Sequence, residues 1–114
     1  MSTADLEYYA GLIGVIGCGV CRPGTRARSR QAGGSWTSLQ IEEFIARVAS
    51  ASLAAREHGL GGTTHCWQFE RAWAFCGIRG DNAILVLISH SNPENAVQLR
   101  AAAEIFATSP GEPS

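Results

Sequence analysis

The chain has 114 residues, enough for one domain; at 46% hydrophobic and 17% charged residues it is too apolar for a disordered chain. Its formal net charge is −1, from nine basic and ten acidic residues, which lacks the basic excess of DNA- and RNA-binding chains. No stretch reaches the roughly 18 apolar residues of a membrane span, so no span is expected.

The N-terminal nine residues carry Asp5 and Glu7 and no basic residue, the opposite of a signal peptide. A cytoplasmic chain with four reduced cysteines is therefore expected. All nine basic residues are arginine, a coding bias expected of a GC-rich bacterial genome.

In chain order, Asp5 to Ile13 places Leu6, Tyr9, Leu12 and Ile13 at helical spacing. Gly14 to Cys21 is small and β-branched and predicts a buried strand with close backbone contacts. Arg22-Pro23-Gly24 is a turn signal. Thr25 to Gln31 alternates, with Arg26, Arg28 and Arg30 on one face. It predicts a polar edge strand whose like charges discourage stray pairing, with an anion patch as the alternative.

After the Gly33-Gly34-Ser35 loop, Thr37 and Gln40 fit a capping box that opens a helix running to His58. Gly59-Leu60 fits a Schellman stop. At roughly 20 residues, about 30 Å, this is the longest predicted element. Ile41, Phe44, Ile45, Val48, Ala51 and Ala55 form an apolar stripe, of which Ile41, Phe44, Ile45 and Val48 are expected to serve the domain's own sheet. Ala46, Ala49 and Leu53 form a second, small-residue stripe suited to close approach by another helix. So short a chain has little left to cover that stripe internally, which predicts an intermolecular contact. Glu43, Arg47 and Ser50 remain as an exposed crest.

Three strands follow, His65 to Glu70, Trp73 to Ile78 and Ala83 to Ile88, joined by turns at Arg71-Ala72 and Arg79-Gly80-Asp81-Asn82. The unbroken apolar third run predicts a central strand covered on both faces. Ser91-Asn92-Pro93-Glu94 starts a last helix carrying Val97, Leu99, Ala103 and Phe106. The prediction is an α/β (α+β sandwich) fold: a five-stranded antiparallel sheet with helices on both faces, in the order α-β-β-α-β-β-β-α. One domain over 1–108 and a disordered tail over 109–114 complete it.

Chemistry-bearing residues are few. Cys18-Gly-Val-Cys21 with His65, Cys66 and Cys76 could approach zinc ligation. On a strand, however, positions 18 and 21 point to opposite faces, and Cys66 and Cys76 are not a second C-x-x-C. His58, His65 and His90 have no oriented cysteine or carboxylate beside them. Trp67, Phe69, Trp73 and Phe75 share strand parity and read as core or interface. No metal, cofactor or catalytic residue is expected. The alternative is a small-ligand or metal sensor with Cys18, Cys21 and the aromatic strands as its pocket.

The order of elements, with Gly14-Val15-Ile16-Gly17, Gly80-Asp81-Asn82-Ala83-Ile84-Leu85-Val86-Leu87 and Asn95-Ala96-Val97-Gln98-Leu99-Arg100, resembles the roadblock/dynein light chain family from Leu6 to Phe106. The resemblance implies a profilin-like roadblock topology and a homodimer. The long helices, here Thr37 to His58, would pack antiparallel. The strand after them, here His65 to Glu70, would pair across the two-fold into a ten-stranded sheet. Bacterial and archaeal members are partners of small Ras-like GTPases, as in the gliding-motility polarity switch, so a non-enzymatic regulator is implied. The expected dimer interface is Ala46, Ala49, Leu53, Cys66, Trp67 and Phe69, and the expected GTPase-facing residues are Glu43, Arg47 and Ser50.

Overall fold

A computed structural model describes residues 3–22, 27–34, 36–59 and 62–109. The helices are α1 (Thr3–Ala10), α2 (Ser38–Glu57) and α3 (Ala96–Thr108), the last preceded by a 3-10 turn over Pro93–Asn95. The strands are β1 (Val15–Cys21), β2 (Arg28–Gln31), β3 (Thr64–Gln68), β4 (Trp73–Ile78) and β5 (Ile84–Ser89). They form one antiparallel sheet in the order β2-β1-β5-β4-β3. The expected element order and meander are present, and the apolar run of β5 is the central strand, buried along its length. The Arg22-Pro23-Gly24 turn, Thr25 and Arg26, Ser35, the Leu60 half of the helix stop and residues 110–114 lie wholly or partly outside the described residues.

The sheet has a hydrophobic core on each face. On one, α1 and α3 bring Leu6, Leu99, Ala103 and Phe106 against Cys18, Val20, Phe75, Leu85 and Leu87. On the other, α2 brings Ile41, Ile45, Val48 and Ala49 against Ala74, Cys76, Ile78, Ile84, Val86 and Ile88. Ile41 and Ile45 have no exposed surface, and burying each side chain contributes about 1.5–3 kcal/mol relative to leaving it in water.

Glycines set how closely the layers approach. Gly17 and Gly19 face α2, where an added Cβ would run into Ile41 and Ile45, so β1 offers a groove into which the helix sinks. Gly77 does the same for α3, since a Cβ there would meet the Ala103 carbonyl oxygen.

The start of α2 is built as its sequence predicts. Thr37 Oγ1 accepts from the Gln40 backbone N–H at 3.1 Å, and Gln40 Oε1 accepts from the Thr37 N–H at 2.8 Å. The helix ends at a His58 cap followed by Gly59 at φ 75°.

Two expectations about faces are corrected. The buried stripe of α2 is Ile41, Ile45, Val48, Ala49 and Ser52. Ala49, expected on an outer contact face, is 2% exposed, while Phe44, Ala51 and Ala55 lie half-buried at the margin. A face rich in alanine does not reveal its inner side, because alanine costs little in either place. The aromatic residues do not share one face of the sheet either. Trp67 opposes Ala74, and Cys66 opposes Phe75. Trp67 therefore joins the α2 core, whereas Trp73 and Phe75 join the α3 core.

Candidate interaction surface

The sheet has two edges, and they differ in chemistry. β2 shows exposed Arg28 and Arg30, and Arg30 pairs with Glu7 at 3.2 Å. This matches the polar, self-protecting edge read from the alternation. β3 reads Thr-His-Cys-Trp-Gln, contains no Asp, Glu, Lys or Arg, and among the described residues pairs with β4 on its inner side. Among the described residues no strand lies on its outer side, which is suited to receive another strand.

Beside β3, α2 presents a groove of about 400 Å³ lined by Phe44, Arg47, Val48, Ala51, Trp67 and Phe69. Trp67 is fixed there by its indole N–H, which donates to the buried Ser52 hydroxyl at 2.8 Å. Sequence reasoning missed Ser52, because a serine mid-helix gives no sign that an indole will meet it. Phe69 remains 45% exposed. Trp36, Phe44 and Phe69 form a ladder of edge-to-face contacts, with ring centroids 5.2 Å apart at each step.

The expected interface residues do not form one patch. At about 100° per residue around α2, Phe44, Arg47 and Ala51 fall on the flank facing β3, whereas Ala46 and Leu53 fall on the opposite flank. Trp67 and Phe69 meet the first flank. Cys66 points to the α3 side of the sheet. Of the crest residues, Glu43, Arg47 and Ser50 are all exposed, and Arg47 also lines the groove.

The two cysteines of the Cys18–Cys21 motif do not converge. Cys18 packs in the α1/α3 core, where its thiol donates to the Leu6 carbonyl at 3.5 Å, while Cys21 lies on the α2 side. Burial pushes the Cys18 thiol up to about 11. Burial likewise pushes Cys76 up to about 12, against the opposing hydrogen bond with Ser52. Both are therefore poor thiolates at neutral pH. Among the described residues, no group of three or more His, Cys, Asp or Glu side chains is placed to hold a metal. The sensor pocket is corrected as well, since its two cysteines and its aromatic residues divide between the two faces. No described helix is long and apolar enough to cross a membrane.

No family model matches the chain, and no curated protein matches it. A solved structure, MglB with tetrameric arrangement, superposes at a TM-score of 0.60 and 23% identity, covering 90% of this chain and 82% of that one. The chain has the MglB fold. The antiparallel five-stranded sheet with helices on both faces is the fold expected from the sequence.

Proposed function

We propose that the chain is a cytoplasmic, non-enzymatic homodimeric platform that binds a small Ras-like GTPase and modulates its activity or localisation. The observation that carries this reading is the β3 edge, which contains no Asp, Glu, Lys or Arg, with an apolar groove beside it. Strand addition supplies backbone hydrogen bonds, and neighbouring pockets supply specificity. A second copy of β3 and α2 fits this edge, with Phe44, Val48, Ala51, Trp67 and Phe69 as its apolar contacts. MglB, which shares the fold, is itself found in a tetrameric arrangement. The GTPase is implied by the family resemblance, and exposed Glu43, Arg47 and Ser50 are the residues offered to it.

Sedimentation velocity tests the dimer. The wild type is expected to be dimeric, Phe69→Glu and Ala51→Glu monomeric, and Ala46→Glu on the opposite flank still dimeric. A monomeric wild type, or dimers indifferent to Phe69→Glu and Ala51→Glu, would sink the interface. The partner is tested by titrating the small GTPase encoded nearest the gene, loaded with GDP or a non-hydrolysable GTP analogue. Binding is expected to fall at least about tenfold, roughly 1.4 kcal/mol, with Ser50→Arg while that variant remains dimeric. No binding by the wild type, or no effect of Ser50→Arg, counts against the GTPase reading.

A further inference from the structure

A second cleft adjoins the apolar groove towards the start of α2. It measures about 380 Å³ and is lined by Trp36, Gln40, Glu43, Phe44, Arg47 and Arg71. The two depressions share Phe44 and Arg47 as a common wall. Arg47 comes from the middle of α2, and Arg71 comes from the connection between β3 and β4, so two distant segments bring two guanidinium groups to one cleft. Both arginines are exposed, and neither forms an ion pair among the described residues. The aromatic side of the cleft is half-buried Trp36 packed edge-to-face on Phe44.

We propose that this cleft receives a short segment of a partner protein in which a carboxylate side chain stands beside an apolar one. The proposal rests on the reading of this α2 face as a protein-docking surface, and it adds the chemistry of what docks there. Guanidinium groups bind carboxylates through paired, geometrically matched N–H donors. Exposed ion pairs contribute little on their own, so the neighbouring apolar residue, seated on Trp36 and Phe44, supplies most of the affinity. Arginine and aromatic residues together are the composition of interface hot spots. Polyphosphate ligands fit less well. Glu43 lines the same cleft and Glu70 adjoins Arg71 in sequence, and a chain of net charge −1 offers nucleic acid no general attraction.

The test is selection of a phage-displayed random 12-residue peptide library on the folded wild-type protein, repeated on Arg71→Glu and Arg47→Gln. Circular dichroism confirms that both exposed substitutions leave the fold intact. The expected result is enrichment of clones with Asp or Glu adjacent to Leu, Ile, Phe or Trp. A synthetic peptide from those clones should quench or shift tryptophan fluorescence and bind about tenfold or more weakly to Arg71→Glu. Four outcomes overturn the proposal: no enrichment; enriched clones lacking acidic residues; clones that bind Arg71→Glu equally well; or displacement of the peptide by a uridylate 20-mer, which would mark a nucleic-acid site. A shift of the monomer–dimer equilibrium by Arg71→Glu without any change in the selected clones also overturns it, because the cleft would then belong to a second copy. The GTPase titration fails independently of this test. A protein that binds the GTPase but selects no acidic peptides loses only the cleft, and the converse loses only the GTPase.

Discussion

Arg79 is the one buried charged residue among the described residues, at 4% exposure. Its guanidinium donates to both carboxylate oxygens of Asp81 at 2.8 and 2.9 Å and lies 4.8 Å from the centroid of the Phe106 ring. The turn that joins β4 to β5 is thereby tied to α3. The hydrogen bonds from Arg79 hold the Asp81 carboxyl far below the usual carboxylate range, helped by the Ala83 backbone N–H and by Arg22. A lowered folded-state value means stabilisation that is fully present above the unfolded value near 3.8 and is lost as pH falls towards the folded value. Asp81→Asn mimics the protonated state. At pH 7 it is expected to cost about 1–2 kcal/mol, less than a fully buried pair would because Asp81 is partly solvated. At pH 3 the wild type has begun to lose the same contribution, so the difference narrows. Urea unfolding at the two pH values checks this, and an equal difference at both would refute the assignment. The Arg79-Gly80-Asp81-Asn82 turn is legible in the sequence, and Asn82 does take a positive φ of 66°. The clamp is not legible, because it depends on α3 bringing Phe106 over the turn.

Individual elements were legible wherever the signal was local. The capping box needs only Thr37 and Gln40, three residues apart, and the stop of α2 needs only Gly59 after His58. The apolar run of β5 reported its own central place. Signals that depend on pairing were not legible. The β3–β4 register places Gln68 opposite Trp73, so residues of one sequence parity change faces across the hairpin. Counting along the chain cannot detect this. The same limit applies to α2, where Ala46 and Ala49 look alike until packing of α2 on the sheet turns one of them inward. The spacing between α3 and the sheet rests on Gly77. Gly77→Ala would drive a methyl against the Ala103 carbonyl, backbone that cannot swing aside. It is expected to cost about 1–3 kcal/mol as overpacking. Gly80→Ala meets nothing within contact range and should change stability by no more than about 0.5 kcal/mol. Denaturant midpoints for the pair decide it, and a Gly77→Ala as stable as Gly80→Ala would show that α3 does not rest on β4 in this way.

The two edges of the sheet are built to opposite ends. β2 is four residues long and displays arginine side chains, so it opposes extension of the sheet. β3 lacks those devices and stands beside a groove with an apolar floor. A sheet that grows does so at β3, and hydrogen exchange can observe this directly. In an antiparallel edge strand, alternate N–H groups point inward to the neighbouring strand and the others point outward. The inward set over Thr64–Gln68 is held by β4 in the isolated domain, so its protection should not depend on protein concentration. The outward set gains a partner when a second strand is added. Its exchange is expected to slow by about tenfold or more as concentration rises through the dimerisation range, and Phe69→Glu should restore fast exchange to that set alone. Amides of β2 provide the internal comparison and should show no concentration dependence. If the outward amides of β3 exchange at one rate across all concentrations, α2 contacts alone would have to hold any dimer, and the ten-stranded sheet would be excluded.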